Sequence, residues 1–438
     1  MVVLNDNVLQ KLNETLKQSR KSHFNKKRIP DKKIFSFEDF KMIPFTTKED
    51  ILKNAPDGFV CVPNKELYQY NERFRLTDEA SVSWFTKSDL IDCARRINIG
   101  GIGFNENDRV LVRFPRSLSS TAHFTHIAAQ MKNACVIPTS SENNITPFPR
   151  IVYLMKKLEI TVLATLPAHA MFIAEAAQIM GYNIKSDFKA LRAIYIAGEA
   201  LTQSKRKLLE KIWDVPVFDN FGASEIGPLM IECIHRNTHP LEDSFLFEIL
   251  DESLIREVEP GETGLLAVTT LTRRAAPLIR YLTGDRAKRV YNKCPCGRES
   301  SMEIQVRKKD SIIIENREFD LWILEEMVSH LPYNGMWVSE PYKDGIKFII
   351  EKENDNVSMT SEMKKRLEEN YRVSIYIELV EKGSLKNRQK LINPVTLNSK
   401  NLNDGGEQPF CANHVSCSEL FNEKFLWRNN LLLKGWKI

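Results

Sequence analysis

The sequence predicts an α/β protein with a large N-terminal domain of doubly wound sheets, a barrel-like β subregion and a small, mobile α+β C-terminal domain. From about residue 35, short β-rich runs alternate with amphipathic helical stretches, which indicates largely parallel strands covered by helices. Near residue 243 the helices give way to short strands separated by Pro260-Gly261 and Gly264. After Arg307, strands and helices mix again over a shorter stretch.

The individual elements follow from local patterns. The parallel sheet is expected to contain strands at residues 109–113, 134–138, 161–165 and 193–197, with helices at 149–158 and 202–212. Thr202 is suited to cap the second of these helices. The turn residues between 243 and 290 predict antiparallel pairing. In the small domain we expect strands at 311–314, 336–338, 347–351 and 374–380 and helices at 321–331 and 361–370.

Length and composition define the broad class. The 438 residues, 42% of them apolar, suggest a large domain at 1–306, a small one at 307–400 and an extension at 401–438. The net charge of +5 gives no sign of a nucleic-acid binder. No apolar run is long enough to cross a bilayer and the first residues do not form a secretory signal, so a cytoplasmic location without membrane contact is expected.

One local charge run stands out between Lys17 and Lys33, where Lys and Arg dominate. It has two interpretations: a solvated helix face or loose arm, or a docking surface for an acidic carrier protein.

Four motifs occur in a fixed order: Pro44 to Asp50, Ala197-Gly198-Glu199, Phe221 to Gly227, and Pro277 to Tyr281 followed by Thr283-Gly284-Asp285. Their order and spacing resemble the phenylacetate-coenzyme A ligase branch of the adenylate-forming superfamily, over roughly residues 35 to 395. The resemblance implies a large domain, a swivelling small domain and an active site between them. It also implies that ATP activates a small carboxylic acid as an acyl-adenylate, whose acyl group then passes to the thiol of coenzyme A.

Adenylation needs a magnesium ligand, a hydroxyl for phosphate oxygens and a carboxylate for the ribose. Glu225 can supply the magnesium ligand and Ser224 the hydroxyl. By the resemblance, Asp285 accepts hydrogen bonds from the ribose hydroxyls; alternatively, it is a simple turn residue. The remaining residues expected around the nucleotide and acyl group are Gly198, Glu199, Phe221, Gly222 and Ala223.

The small domain adds two residues by the same resemblance. Arg307, with Lys309, occupies the hinge, where an arginine can reach the ribose. Lys390, after Gly383-Ser384-Leu385, resembles the lysine that bridges the carboxylate and the α-phosphate during adenylation. The alternative for Lys390 is a solvated loop lysine.

The phosphate-binding loop departs from the family pattern. No glycine occurs between Gly58 and Gly100, although glycines free the backbone amides that surround a phosphate. An ungapped placement puts residues 73–80 on the loop, with Asp78 and Glu79 beside the triphosphate; a shortened loop would resume at residues 82–86. Three functions remain open: adenylation with Arg73 or Arg75 binding phosphate, transfer from a preactivated acyl donor to a carrier protein, or noncatalytic binding.

A metal site is predicted from four residues, Cys233, His239, Cys294 and Cys296, a set suited to a tetrahedral structural zinc ion. His235 is the substitute for His239, and buried thiols that never meet are the alternative. A further cluster, Cys411, His414 and Cys417, is expected not to bind metal.

Two histidines, the acid and the acceptor thiol each have more than one interpretation. His123 and His126 either line the acyl pocket or have a structural role. The sequence does not identify the acid, nor does it distinguish coenzyme A from a carrier phosphopantetheine as acceptor, and a homodimer is an open alternative. Hydrolase, P-loop and zinc-protease motifs do not occur.

Overall fold

A computed structural model describes residues 5–73, 81–141, 145–291, 293–305, 312–333, 336–352, 359–382 and 384–385. Within these ranges no helix is long and apolar enough to span a bilayer.

The helices and strands of the described residues are numbered in chain order. The helices are α1 Asp6–Ser19, α2 Phe37–Lys41, α3 Lys48–Lys53, α4 Lys87–Asn98, α5 Thr121–Gln130, α6 Phe148–Lys157, α7 Pro167–Ile179, α8 Ile184–Asp187, α9 Gln203–Trp213, α10 Leu321–Ser329 and α11 Ser361–Tyr371. The strands are β1 Leu67–Arg73, β2 Ser81–Thr86, β3 Arg109–Arg113, β4 Cys135–Pro138, β5 Val162–Thr165, β6 Ala193–Ala197, β7 Val217–Ala223, β8 Gly227–Glu232, β9 Thr238–Pro240, β10 Phe245–Leu250, β11 Thr263–Thr270, β12 Tyr281–Tyr291, β13 Ser300–Gln305, β14 Ile312–Ile314, β15 Arg317–Phe319, β16 Trp337–Tyr342, β17 Gly345–Glu351 and β18 Ser374–Val380.

The central element is a seven-stranded sheet with the order β4-β3-β5-β6-β7-β8-β9. Strands β3 to β7 pair in parallel, and β8 and β9 extend the sheet antiparallel. Strands β5 and β6 are buried along their whole length, because helices cover both faces. β3 lies between β4 and β5, so the chain builds the sheet outward from β3 first on one side and then on the other. At such a switch point a ligand crevice is expected at the carboxyl ends of the strands.

The region predicted to be barrel-like is a four-stranded antiparallel sheet with the order β10-β11-β12-β13. Each strand pairs with the next along the chain, as the turn residues predicted. No pairing between β10 and β13 closes the sheet among the described residues. The antiparallel prediction is therefore confirmed, and within the described residues the sheet is open rather than a closed barrel.

The C-terminal unit is built on the three-stranded sheet β16-β17-β18 and the hairpin β14-β15. Its interior is a separate apolar cluster that includes Leu324, Trp337 and Phe348. Met336, Val338 and Leu385 instead pack into the cluster beneath the seven-stranded sheet. On the polar side of this contact, Lys205 Nζ of α9 lies 2.7 Å from Glu325 Oε1 of α10, and the Thr202 hydroxyl also donates to the Glu325 carboxylate.

The basic N-terminal segment is folded onto the protein rather than forming a loose arm. Leu12 and Leu16 of α1 pack with Leu246 and Leu271 of the antiparallel sheet. The Thr15 hydroxyl donates to the carbonyl oxygen of Leu271 at 3.1 Å. The exposed basic side chains therefore lie on an ordered surface: Lys17, Lys21, Lys26, Lys27, Lys32 and Lys33.

Candidate active site

The turn between β7 and β8 carries Glu225. Ala223 pairs with Gly227, and Ser224, Glu225 and Ile226 form the turn between them. The Glu225 side chain is buried, and the Ser81 hydroxyl donates to its Oε1 at 2.5 Å. Ser81 is the first described residue after residues 74–80, the segment predicted to contain the phosphate loop.

Close packing fixes the shape of this turn. A methyl group at Gly222 would lie 2.5 Å from the carbonyl oxygen of Gly227. Gly227 itself has φ of +91°, and a methyl group there would lie 2.8 Å from Cys93 Sγ. The Ser83 hydroxyl donates to the backbone carbonyl of Ser224 at 3.0 Å, so β2 is bonded to the turn at two points.

Asp285 lies on β12 and is buried. Its amide donates to the Thr283 hydroxyl oxygen at 3.1 Å, and that hydroxyl donates to the Leu266 carbonyl at 3.2 Å. One apolar cluster contains Ile226, next to Glu225, together with Tyr281 and Ala287 on either side of Asp285. The strand bearing Asp285 and the turn bearing Glu225 are therefore supported by the same core.

Gly198 and Glu199 follow the carboxyl end of β6. Glu199 Oε2 accepts a hydrogen bond from the Ala168 amide at 3.4 Å, and Oε1 is buried without a partner in the described part of the chain. Burial raises the pKa of Glu199 to about 7, although the positive charge of Lys205 acts in the opposite direction. The carboxyl group is therefore partly protonated at neutral pH and can donate or accept a hydrogen bond.

The small unit approaches this region through Asp320. Burial raises the pKa of Asp320, the negative charge of Glu318 raises it further, and the positive charge of Arg286 lowers it. Arg286 is the neighbour of Asp285, so the loop before α10 lies near the strand that bears Asp285. Arg307, Lys309 and Lys390, like residues 74–80, lie outside the described residues, and their roles stay predictions.

Comparison with known proteins gives a consistent result. The phenylacetate-coenzyme A ligase of Thermus thermophilus is 28% identical over 276 residues, which are 62% of this chain and 61% of that protein. The Pseudomonas putida enzyme of the same name is 26% identical over 315 residues, 70% of each chain. This chain is similar in sequence to the phenylacetate-coenzyme A ligases. No protein-family model matches the chain.

The fold of the chain is similar to that of a solved coenzyme A ligase. A crystal structure of 2-hydroxyisobutyryl-CoA ligase, in the postadenylation state with an acyl-AMP ligand, aligns with a TM-score of 0.77 and 20% identity over 85% of each chain. The predicted resemblance and the α/β fold class are thus confirmed. The match spans about three fifths of the length of the Thermus enzyme, 61%.

The four residues of the predicted metal site lie together in the structure. The ligand atoms of Cys233, His239, Cys294 and Cys296 all lie within 4.8 Å of one another. The Sγ atoms of Cys233 and Cys294 are 3.7 Å apart, and Cys296 Sγ is 3.3 Å from His239 Nε2. Two sulfurs bonded to one tetrahedral zinc ion at about 2.3 Å would be separated by roughly 3.8 Å. The donor set therefore fits zinc in chemistry and in spacing.

Hydrogen bonds from neighbouring groups favour the tautomer of His239 and the ionised form of Cys294 that bind a cation. His239 Nδ1 lies 2.6 Å from the Ser300 carbonyl oxygen, which can only accept, so Nδ1 carries the proton and Nε2 faces the thiols. Burial opposes ionisation of Cys294, but hydrogen bonds from the Cys296 amide and the Asn237 side chain lower its pKa to about 6. The substitute ligand His235 is exposed and outside the cluster, and Cys411, His414 and Cys417 lie outside the described residues.

Sequence reasoning missed two contacts of this region. Ser81 was not singled out, because a serine beside a loop without glycine carries no recognisable motif. Thr202 was predicted to cap α9, and its side chain does accept from the Lys205 amide, but the hydroxyl also reaches Glu325 of the small unit. Both contacts join segments more than a hundred residues apart in the chain, so no local sequence pattern predicts them.

Proposed function

We propose that this protein activates a small carboxylic acid with ATP as an acyl-adenylate and transfers the acyl group to a thiol, either that of coenzyme A or that of a carrier phosphopantetheine. The observation that carries the proposal is the buried Glu225 carboxylate, held by Ser81 at the end of the loop that should face the phosphates. The similarity to phenylacetate-coenzyme A ligases supports it.

The residues around this turn would divide the work of adenylation. Magnesium, when bound, would neutralise charge on the phosphate oxygens, and Glu225 and the ATP phosphates would hold it. The Ser224 hydroxyl would donate a hydrogen bond to a phosphate oxygen, and the Asp285 carboxylate would accept hydrogen bonds from the ribose hydroxyls. The positive charge of Lys390 would stabilise the negative charge on the α-phosphate and the carboxylate, and Arg307 would reach the ribose from the hinge.

Transfer from a preactivated donor is the second candidate, and the phosphate loop favours it. Asp78 and Glu79 are where the family has a glycine and a lysine, and two carboxylates would repel a triphosphate. In this alternative the protein would take the acyl group from an acyl-CoA or acyl-adenylate and load a carrier protein. The buried Glu225 favours the ligase, because a transferase that never binds magnesium pyrophosphate has no use for an acidic group there.

Carboxylate-dependent exchange of pyrophosphate into ATP tests the ligase. Across a broad panel of acids, the wild-type protein should show exchange that requires magnesium, and Glu225→Gln should reduce it about 100-fold or more, the range found when one group that stabilises transition-state charge is removed. Glu106→Gln, at an exposed carboxylate before β3, is the matched control and should stay within about twofold. Absence of exchange with every acid, combined with loading of a carrier thiol from acyl-CoA, would select the transferase.

We also propose that the Cys233–His239–Cys294–Cys296 cluster binds a structural zinc ion. Four protein ligands leave no open position for a substrate, so the ion would have no part in the reaction. Cys233 follows β8 and His239 lies on β9, whereas both other cysteines lie between β12 and β13. The ion would therefore connect the seven-stranded sheet with the antiparallel sheet, close to the turn that carries Glu225.

A further inference from the structure

The segment after β3 together with α5, residues 114–130 and here called the wall, adjoins the β1–β2 hairpin and the turn that carries Glu225. It follows the carboxyl end of β3, at the switch point of the seven-stranded sheet, where ligands bind in such folds. The Leu118 carbonyl accepts a hydrogen bond from the Glu72 amide of β1 at 2.9 Å, so the segment is attached to the hairpin whose second strand holds Glu225. Phe124 of α5 lies against Gly227, since a methyl group there would be 3.3 Å from its ring.

This wall contains a cluster of three basic side chains, Arg116, His123 and His126. His123 Nε2 lies 3.2 Å from the Arg116 carbonyl oxygen and donates to it, because a carbonyl only accepts. Arg116 Nη1 and His126 Nδ1 are buried and have no hydrogen-bond partner among the described residues. A buried guanidinium nitrogen without an acceptor is costly, so the pair points to an anionic ligand that would complete it.

The surroundings of the pair favour a neutral His126, so Arg116 supplies the positive charge. Burial lowers the pKa of His126, and the positive charges of Arg116 and of His123 lower it further. One arginine beside a largely neutral histidine can balance a single negative charge. Arginine also matches the planar, two-oxygen geometry of a carboxylate.

We propose that Arg116 and His126 bind a second carboxylate on the acid that the protein activates, so that its preferred substrates are dicarboxylic acids. His123 would position Arg116 through the backbone. The inference rests on the proposed function, because it assigns the acyl substrate of that site.

Calorimetric binding of chain-matched acids tests the proposal without requiring turnover. The probes are glutarate against pentanoate and adipate against hexanoate, each with and without AMP, and ATP is titrated separately. The wild-type protein should bind the better dicarboxylate at least about tenfold more tightly than its monocarboxylate partner. Arg116→Met should weaken that dicarboxylate about 10- to 100-fold, the usual range for a hydrogen bond to a charged group, and change monocarboxylate binding less than about threefold.

Two variants separate this effect from general damage. Arg116→Lys should restore part of the dicarboxylate preference, because it keeps the charge but not the paired geometry. Arg150→Met removes an exposed arginine of α6 that lies over Tyr153, and should bind both acids like the wild type. If Arg116→Met does not fold, as judged by its melting transition, His126→Leu takes its place with the same expected direction.

The outcomes distinguish the subsite from the proposed function. Equal binding of both acid classes by the wild type, or no binding of either dicarboxylate, overturns the subsite. Loss of ATP affinity in Arg116→Met with unchanged acid affinity also overturns it and assigns the cluster to the phosphates. Selective dicarboxylate binding that Arg116→Met abolishes, in a protein without pyrophosphate exchange, supports the subsite and removes the ligase function instead.

Discussion

At the scale of single residues, the most unusual electrostatic group outside the candidate site is formed by Asp219, Glu232 and Arg206. The Arg206 guanidinium binds both oxygens of the buried Glu232 carboxylate, and Glu232 Oε2 accepts from the Asp219 amide at 2.8 Å. Burial and then the negative charge of Glu232 raise the pKa of Asp219 to about 8. The guanidinium thus binds the Glu232 carboxylate, and the neighbouring Asp219 carboxyl keeps its proton at neutral pH.

This raised pKa predicts a pH-dependent stability. In the unfolded chain Asp219 ionises near its ordinary pKa of 3.8, so between that value and about pH 8 the folded state binds the extra proton and loses stability as the pH rises, by up to about 1.4 kcal/mol per pH unit. Asp219→Asn removes this term. Its melting temperature relative to the wild type should therefore rise by several degrees from pH 5 to pH 8. Asp243→Asn, at an exposed carboxylate, should show no such trend, and a parallel trend in both variants would contradict the assignment.

At this scale the sequence predicted which residues suit a chemical role better than it predicted how the fold changes their pKa values. Glu225 and Asp285 could be selected because few residue types suit magnesium or a ribose diol. The raised pKa values of Glu199 and Asp219 could not be predicted, because they depend on burial and on neighbours such as Lys205 and Glu232 that reach them only in the folded chain. Arg116 and His126 were not linked for the same reason.

At the scale of elements, strands were easiest to predict where both faces are buried. β5 and β6 are continuous apolar runs, and their bounds agree with the sequence to within a residue. The β1–β2 hairpin was not predicted as paired strands, because Leu67–Arg73 is largely polar and its pairing with Ser81–Thr86 is the only regular structure it has. The open shape of the β10–β13 sheet was also beyond the sequence, because turn residues define neighbours but not closure.

The proposed zinc ion connects elements and predicts a stability effect. Protein purified without chelator should contain about one zinc per chain. Cys294→Ser should lose the metal and lower the melting temperature by several degrees, since the free energy of binding contributes to folding. Cys135→Ser is the control, because this exposed cysteine lies outside the cluster. A wild-type content below about half an equivalent would count against the zinc proposal.

At the scale of the whole molecule, the position of the small unit depends on α9. The Lys205 and Glu325 side chains at this contact are only 13% and 7% exposed, so the ion pair is largely shielded from water. Removal of one partner destabilises a shielded ion pair much more than a surface pair, because the remaining charge stays buried. The contact is therefore a main determinant of how the small unit sits on the large one.

Loss of this ion pair should loosen the small unit without unfolding it. In Lys205→Met, the Glu325 carboxylate keeps the Thr202 hydroxyl as its partner among the described residues, so hydrogen–deuterium exchange should increase at least about tenfold in α10. Exchange in the core strands β5 and β6 should be unchanged. Lys207→Met changes an exposed lysine of the same helix and should behave like the wild type. Identical exchange in both variants would show that apolar contacts alone hold the unit.

The packing of α1 against the antiparallel sheet has a consequence for biosynthesis. Thr15 and its partner Leu271 are 256 residues apart in the chain. At about 5–20 residues per second, a ribosome needs roughly 10 to 50 s to make the intervening polypeptide. During that time Leu12 and Leu16 have left the exit tunnel while the surface that will cover them does not yet exist. The nascent chain should therefore depend on chaperones around α1 until the antiparallel sheet is complete.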